Sequence, residues 1–182
     1  MNYTIRDLTE TDIQKAAQVA YLAFKTHFPN WFTTVDVAAG EVRESLEEGK
    51  ISRVALAENG AIIGWTGAHQ MYDNYVWELH PLAVHPDYHG HGIGRALVLD
   101  LEAQVKARGG KSMMLGTDDE DGQTSLWGID LYPNVWEHIQ KIENLNGHSY
   151  SFYQKMGYAI IGVVPDANGW GKPDILMAKR LS

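Results

Sequence analysis

The chain has 182 residues, 45% of them hydrophobic and 21% charged, which suits one ordinary globular domain with room for a sizeable core. It contains no cysteine, which excludes disulfides, thiolate zinc sites and cysteine nucleophiles. With 23 acidic residues against 15 basic ones its net charge is −8, which disfavours nucleic acid and favours a cationic ligand.

Residues Met1 to Asp7 lack the apolar core of a signal peptide, and no run is long enough to span a bilayer. The expected location is therefore cytoplasmic, with no membrane partner. Thr9-x-x-Asp12 and the apolar positions after it predict a first helix to about Phe24. A second helix is expected over Val35 to Glu48. Ile51 to Ala57 and Ala61 to His69 read as strands joined across Glu58-Asn59-Gly60, a hairpin signal. A third strand covers Tyr75 to Val84. After a glycine-rich loop, Ile93, Leu97, Leu101 and Val105 fall at helical spacing with one buried face, and Gly109-Gly110 ends that helix. Lys111 to Gly116 reads as the next strand. Thr117 to Asn146 is acidic, then aromatic, and is expected to be helical. Short elements follow at Ser149 to Met156, Tyr158 to Val164 and Asp174 to Leu181. No repeat or linker marks a second domain, so the prediction is one α+β domain over residues 1–182.

Three stretches carry candidate chemistry. In the first, the apolar run Leu79 to Val84 meets His85-Pro86, glycines follow at 90, 92 and 94, and a helix starts at once. Glycines let backbone N–H groups converge, and a helix N-terminus adds partial positive charge, so the loop is suited to an anion such as a pyrophosphate. A Walker loop is excluded because Gly94 is followed by Arg95-Ala96. A dinucleotide fingerprint is excluded because Gly90, Gly92 and Gly94 are spaced one residue too tightly. His80, His85, His89 and His91 fall close together, yet no zinc-ligand spacing or His-Glu-x-x-His pattern accompanies them, so no metal is expected.

In the second, Trp77-Glu78-Leu79-His80-Pro81-Leu82, strand alternation puts Glu78, His80 and Leu82 on one face and Trp77 and Leu79 on the other. A carboxylate and an imidazole side by side on a buried face form either an internal pair or a catalytic one. Pro81 cannot donate to a ladder, so strand pairing must break beside it. In the third, Ser151-Phe152-Tyr153-Gln154-Lys155-Met156-Gly157-Tyr158, a short helix closes at Gly157 before a strand. Asp118, Asp119, Glu120 and Asp121 follow a strand end, either as partners for ligand ammonium groups or as a solvated acidic loop.

His89-Gly90-His91-Gly92-Ile93-Gly94 resembles the pyrophosphate loop of the GNAT superfamily of acyl-CoA N-acyltransferases, with His89 where that family usually has Arg or Gln. The resemblance narrows to the aminoglycoside 6′-N-acetyltransferases through Trp77 to Leu82, Leu115 to Asp119, Asp130-Leu131-Tyr132, Ala167 to Trp170 and Lys172 to Ile175. It implies a GNAT fold with a mixed, splayed central sheet flanked by helices. It also implies acetyl-CoA as co-substrate and a homodimer. Leu82, Ala83 and Val84 would hold the thioester and pantetheine arm, with the Leu82 N–H on the thioester carbonyl. His89, Gly90, His91, Gly92, Ile93, Gly94 and Arg95 would cradle the pyrophosphate. Glu78, with His80, would orient the acceptor amine and take its proton, and Tyr153 would protonate the departing thiolate. Asp118 and Asp121, with Glu78, would bind a cationic acceptor. The expected activity is acetyl transfer to a primary amine, foremost the 6′-amine of an aminoglycoside, by direct attack in a ternary complex. The alternatives are another small polyamine, a protein N-terminus, or a non-catalytic acyl-CoA sensor.

Overall fold

Four antiparallel strands form the frame on which the first candidate residues sit. The computed structural model describes residues 1–181 and divides into two units, Met1–Met113 with Leu181, and Met114–Arg180. In the first unit, β1 (Tyr3–Asp7), β2 (Ile51–Ala57), β3 (Ile62–Met71) and β4 (Val76–Val84) pair in that order. The hairpin expected at Glu58-Asn59-Gly60 forms, with the Gly60 N–H donating to the Ala57 carbonyl at 2.9 Å.

Helices cover both faces of these strands. A 3-10 turn (Glu10–Asp12) leads into α1 (Ile13–Phe24), and Asp12 accepts the Thr9 N–H at 3.0 Å, the capping arrangement the sequence anticipates. On this face α1 and α2 (Val35–Glu44) bury Ala16, Ala20, Ala39 and Val42 against Val54, Trp65 and Ala83. On the other, α3 (Ile93–Ala107) buries Ile93 and Leu97 against Ala55 and Ile63. The sequence extends α2 to Glu48, but the helix stops at Glu44. The Ser45 hydroxyl donates to the Val42 carbonyl at 2.6 Å and meets Ser52 Oγ at 2.8 Å, diverting the chain into turns before β2.

The second unit holds β5 (Ser112–Asp118, entered from the first unit), α4 (Val135–Gln140), α5 (Tyr150–Lys155), β6 (Ala159–Val164) and β7 (Asp174–Arg180). Strand order here is β5-β7-β6, with β6 and β7 antiparallel. The helix expected across Thr117 to Asn146 shrinks to α4 and a 3-10 turn at Tyr132–Asn134. Asp119 explains the difference at its start. Its buried carboxylate accepts the N–H groups of Gly122, Gln123 and Thr124 at 2.9, 2.8 and 2.7 Å, which folds this stretch as a loop. Gly122 and Gly128, both at positive φ, also suit a loop better than a helix. Among the described residues no helix is long and apolar enough to cross a membrane.

Candidate active site

Strand β4 changes face part-way along. Thr66 pairs with Leu82 but Ala68 pairs with Leu79, so β4 carries one extra residue at His80-Pro81, a β-bulge opposite Gly67. The break expected beside Pro81 is there. Thr66 Oγ1 donates to the Pro81 carbonyl at 2.9 Å, and a Cβ on Gly67 would stand 2.8 Å from the His80 carbonyl oxygen. The extra residue reverses side-chain parity. Leu82 and Val84 pack on the α3 cluster, whereas Ala83 packs with α1 and α2. His80 faces the α2 side, with its ring 6.2 Å from that of Trp31 and 3.6 Å from Glu41. The sequence reading that Leu82 shares a face with Glu78 and His80 is therefore corrected, because simple alternation holds only for an unbulged strand.

A second correction concerns burial. The Glu78 and His80 side chains are 28% and 43% exposed, so they line an accessible surface rather than a buried face. Glu78 Oε2 lies 3.3 Å from His69 Nε2, its direct cross-strand partner on β3. His80 Nε2 lies 3.6 Å from Glu41 Oε1 on α2. The sequence analysis missed both His69 and Glu41. His69 was readable from the register of a four-residue β3–β4 turn, but Glu41 had no signal beyond its place near the edge of the buried Ala38–Ala39–Val42 stripe.

Glu41, His69 and His80, with Ser45, Lys50 and Ile51, line a cavity of about 160 Å³. His80 beside it holds the Glu41 carboxyl below its ordinary range against the opposing effect of burial, helped by the charges of Lys50 and His69. Two carboxylate–imidazole pairs thus involve this cavity, Glu41 and His80 both lining it and His69 on its wall pairing with Glu78. Such groups can position an amine and move its proton.

The glycine loop lies at the other end of β4. His85 N–H donates to the Ile63 carbonyl at 3.0 Å, a 3-10 turn spans Pro86–Tyr88, and Gly90 and Gly92 take φ of 78° and 79°. A side chain at either glycine would meet open space, so the concavity faces outward. Ala96 makes the first bond of α3, to the Gly92 carbonyl at 3.0 Å, which leaves the N–H groups of Ile93, Gly94 and Arg95 without an intrahelical acceptor. Ile93 is fully buried and would be 3.1 Å from a Cβ on Gly64, so the bare glycine lets the helix start sit tightly on β3. His89 Nε2 donates to the Val84 carbonyl at 3.0 Å, and His91 Nδ1 donates to the His89 carbonyl at 3.0 Å. The loop imidazoles thus order the loop itself, and Arg95 is exposed. This open set of N–H groups fits a pyrophosphate. Among the described residues no cluster of His, Asp and Glu could hold a metal ion.

In the second unit, α5 closes as the sequence anticipates. Gly157, at φ 90°, donates to the Gln154 carbonyl at 2.9 Å and Tyr158 donates to the Tyr153 carbonyl at 3.1 Å, a Schellman closure. Tyr153 is buried, its ring edge-on to Phe152 and Tyr158, and burial pushes its phenol well above the usual range. Asp118 accepts a hydrogen bond from Asn168, Asp121 is exposed, and Asp119 is committed to the loop backbone.

Residues 17–132 match the profile of the Acetyltransferase (GNAT) family, well over half the chain. The chain belongs to the GNAT acetyltransferase family. It is an acetyl-CoA-dependent N-acetyltransferase with the α+β GNAT fold. Three of the solved structures to which the GNAT chain is similar are aminoglycoside acetyltransferases. One is an aminoglycoside 6′-N-acetyltransferase complexed with coenzyme A, at 36% identity and TM-score 0.88, over 98% of this chain and 97% of that one. Another is the aminoglycoside 6′-N-acetyltransferase from Enterococcus faecium, at 36% identity and TM-score 0.86, again over 98% and 97%. The third is an aminoglycoside 6′-acetyltransferase type Ii, at 32% identity and TM-score 0.73, over 100% and 98%. No curated protein matches this GNAT sequence.

Proposed function

We propose that the whole chain acts as one N-acetyltransferase domain on a cationic primary amine, foremost the 6′-amine of an aminoglycoside. The observation that carries this reading is the 36% identity to an aminoglycoside 6′-N-acetyltransferase bound to coenzyme A across 98% of the chain. The net charge of −8 and the accessible carboxylates of Glu78 and Glu41 suit a polyamine acceptor.

Acetyl-CoA supplies an activated acetyl group as a thioester. With no cysteine in the chain, direct attack by the acceptor amine on the acetyl carbonyl is the simpler route. The amine nitrogen bonds to the carbonyl carbon and the carbon–sulfur bond breaks. The Glu78 and His80 pair of β4 orients the amine, and its proton passes to this pair. The Leu82 N–H donates to the thioester carbonyl, and Ala83 and Val84 line the pantetheine arm. The backbone from His89 through Gly90, His91, Gly92, Ile93 and Gly94 to Arg95 holds the diphosphate. Tyr153, kept protonated by its burial, gives a proton to the departing sulfur. Asp121, and Asp118 beside Asn168, contact further ammonium groups of the acceptor. A cytoplasmic location and a homodimer complete the proposal.

The test is an acceptor screen that follows thiol release from acetyl-CoA, using aminoglycosides with and without a 6′-amine alongside simple polyamines and peptides. Turnover confined to compounds bearing the 6′-amine supports the reading. Equal turnover without that amine, or turnover only on peptides, overturns it.

A further inference from the structure

Glu78 is not the only carboxylate set against a histidine at this surface. His80 faces α2, where Glu41 Oε1 meets its Nε2 at 3.6 Å, while Glu78 is matched to His69 on β3 at 3.3 Å. The two imidazoles line the same 160 Å³ cavity, and Glu41 reaches it from a different element. A carboxylate facing an imidazole fixes its ring and stabilises its protonated form, so the imidazole becomes a stronger proton acceptor.

We propose that Glu41 is a positioning residue for this reaction: it holds His80 so that the imidazole, rather than the Glu78 carboxylate, takes the proton of the attacking amine. The assignment rests on the acetyltransferase reading above and goes beyond it by naming the proton acceptor. On attack, the new carbon–nitrogen bond leaves a positive charge on nitrogen. His80 takes that proton as the carbon–sulfur bond breaks, and the resulting imidazolium faces Glu41. Glu78 and His69 then serve as a second pair, which orients the acceptor. The charged and titratable groups that line the cavity with His80 include Glu41 on α2, Lys50 before β2 and His69 on β3, and Glu78 on β4 stands beside His69. Lys50 is itself paired with Glu47 at 2.8 Å, which tempers its charge at the cavity.

The experiment compares the wild-type chain with Glu41→Gln and Glu41→Asp by two readouts. The first is the NMR titration of the His80 imidazole in the protein alone, which needs no turnover. Glu41→Gln should lower the His80 titration midpoint by about half to one pH unit, and Glu41→Asp should restore part of it. The second is the pH profile of kcat/KM for the best acceptor amine. Its acid limb should move to lower pH by the same amount in Glu41→Gln, with kcat about tenfold lower and the acetyl-CoA KM unchanged. An unmoved His80 midpoint overturns the pairing. A moved midpoint with an unmoved kinetic limb overturns His80 as proton acceptor while leaving the acetyltransferase reading intact. If no amine is acetylated by the wild type, the acetyltransferase reading falls and the catalytic assignment with it, whatever the titration shows.

Discussion

His69 Nε2 stands 3.3 Å from Glu78 Oε2, directly across the β3–β4 ladder, so the most prominent carboxylate of the site is anchored by a neighbouring strand. Its proposed role is separable from the proposed binding of co-substrate, because the glycine loop lies beyond the other end of β4. Glu78→Gln keeps the shape and removes the charge. We expect kcat on the best amine to fall by about 10² or more while the dissociation constant for coenzyme A stays within about twofold. Steady-state kinetics with calorimetry of coenzyme A binding checks both, and equal loss in the two would remove Glu78 from the chemistry.

Gly92 takes φ 79° at the mouth of α3, and a side chain there would meet no protein atom within 4 Å. Gly92→Ala therefore adds backbone strain of about 1 kcal/mol and a methyl group that points into the open space where we propose the diphosphate is held. Coenzyme A affinity should fall about tenfold. Gly60→Ala is the matched control, since Gly60 has φ 77° in the β2–β3 turn. It should show the same loss of stability with unchanged affinity in calorimetry.

The bulge depends on Gly67. A Cβ there would approach the His80 carbonyl oxygen to 2.8 Å and the Ile51 carbonyl oxygen to 3.3 Å, both rigid backbone atoms. Gly67→Ala should cost about 1–3 kcal/mol in urea unfolding and should disturb His80 and Leu82 together. An unfolding midpoint equal to wild type would show that the strands can separate at this point without penalty.

His148 gives the fold a pH dependence of predictable sign. It is 2% exposed, Nδ1 accepts the Tyr150 N–H at 3.2 Å and Nε2 donates to the Asp118 carbonyl at 2.9 Å, so the neutral ring is the form that fits. Burial pushes its pKa below the usual histidine value, against the pull of nearby aspartates. Above about pH 6.5 both folded and unfolded chains hold it neutral and it contributes no slope. As pH falls below that value the unfolded chain takes the proton first, and stability declines until the folded pKa is passed. Thermal unfolding between pH 7 and 5 should show this decline, and His148→Gln should flatten it.

The local elements were largely legible. Ile93, Leu97, Leu101 and Val105 are all fully buried on one face of α3, as their spacing requires. The Thr9–Asp12 start, the turn at Gly60 and the Gly157 closure each follow from bonds between residues a few positions apart. The reading failed where a distant partner or a side chain competed with propensity. Asp119 gathered three N–H groups and dissolved an expected helix. Ser45 ended α2 early by bonding to Val42 and Ser52.

The candidate site divides along the same line. Pro81, lacking an N–H, told of a broken ladder, and the glycines at 90 and 92 told of a loop at positive φ, because each effect resides in one residue's own backbone. That Leu82 points away from the His80 face was decided by an extra residue in β4 set against a glycine of β3. That Glu41 stands beside His80 was decided by how α2 packs on the strands. Contacts across about forty residues of chain have no periodicity to betray them; only the packed core fixes who meets whom.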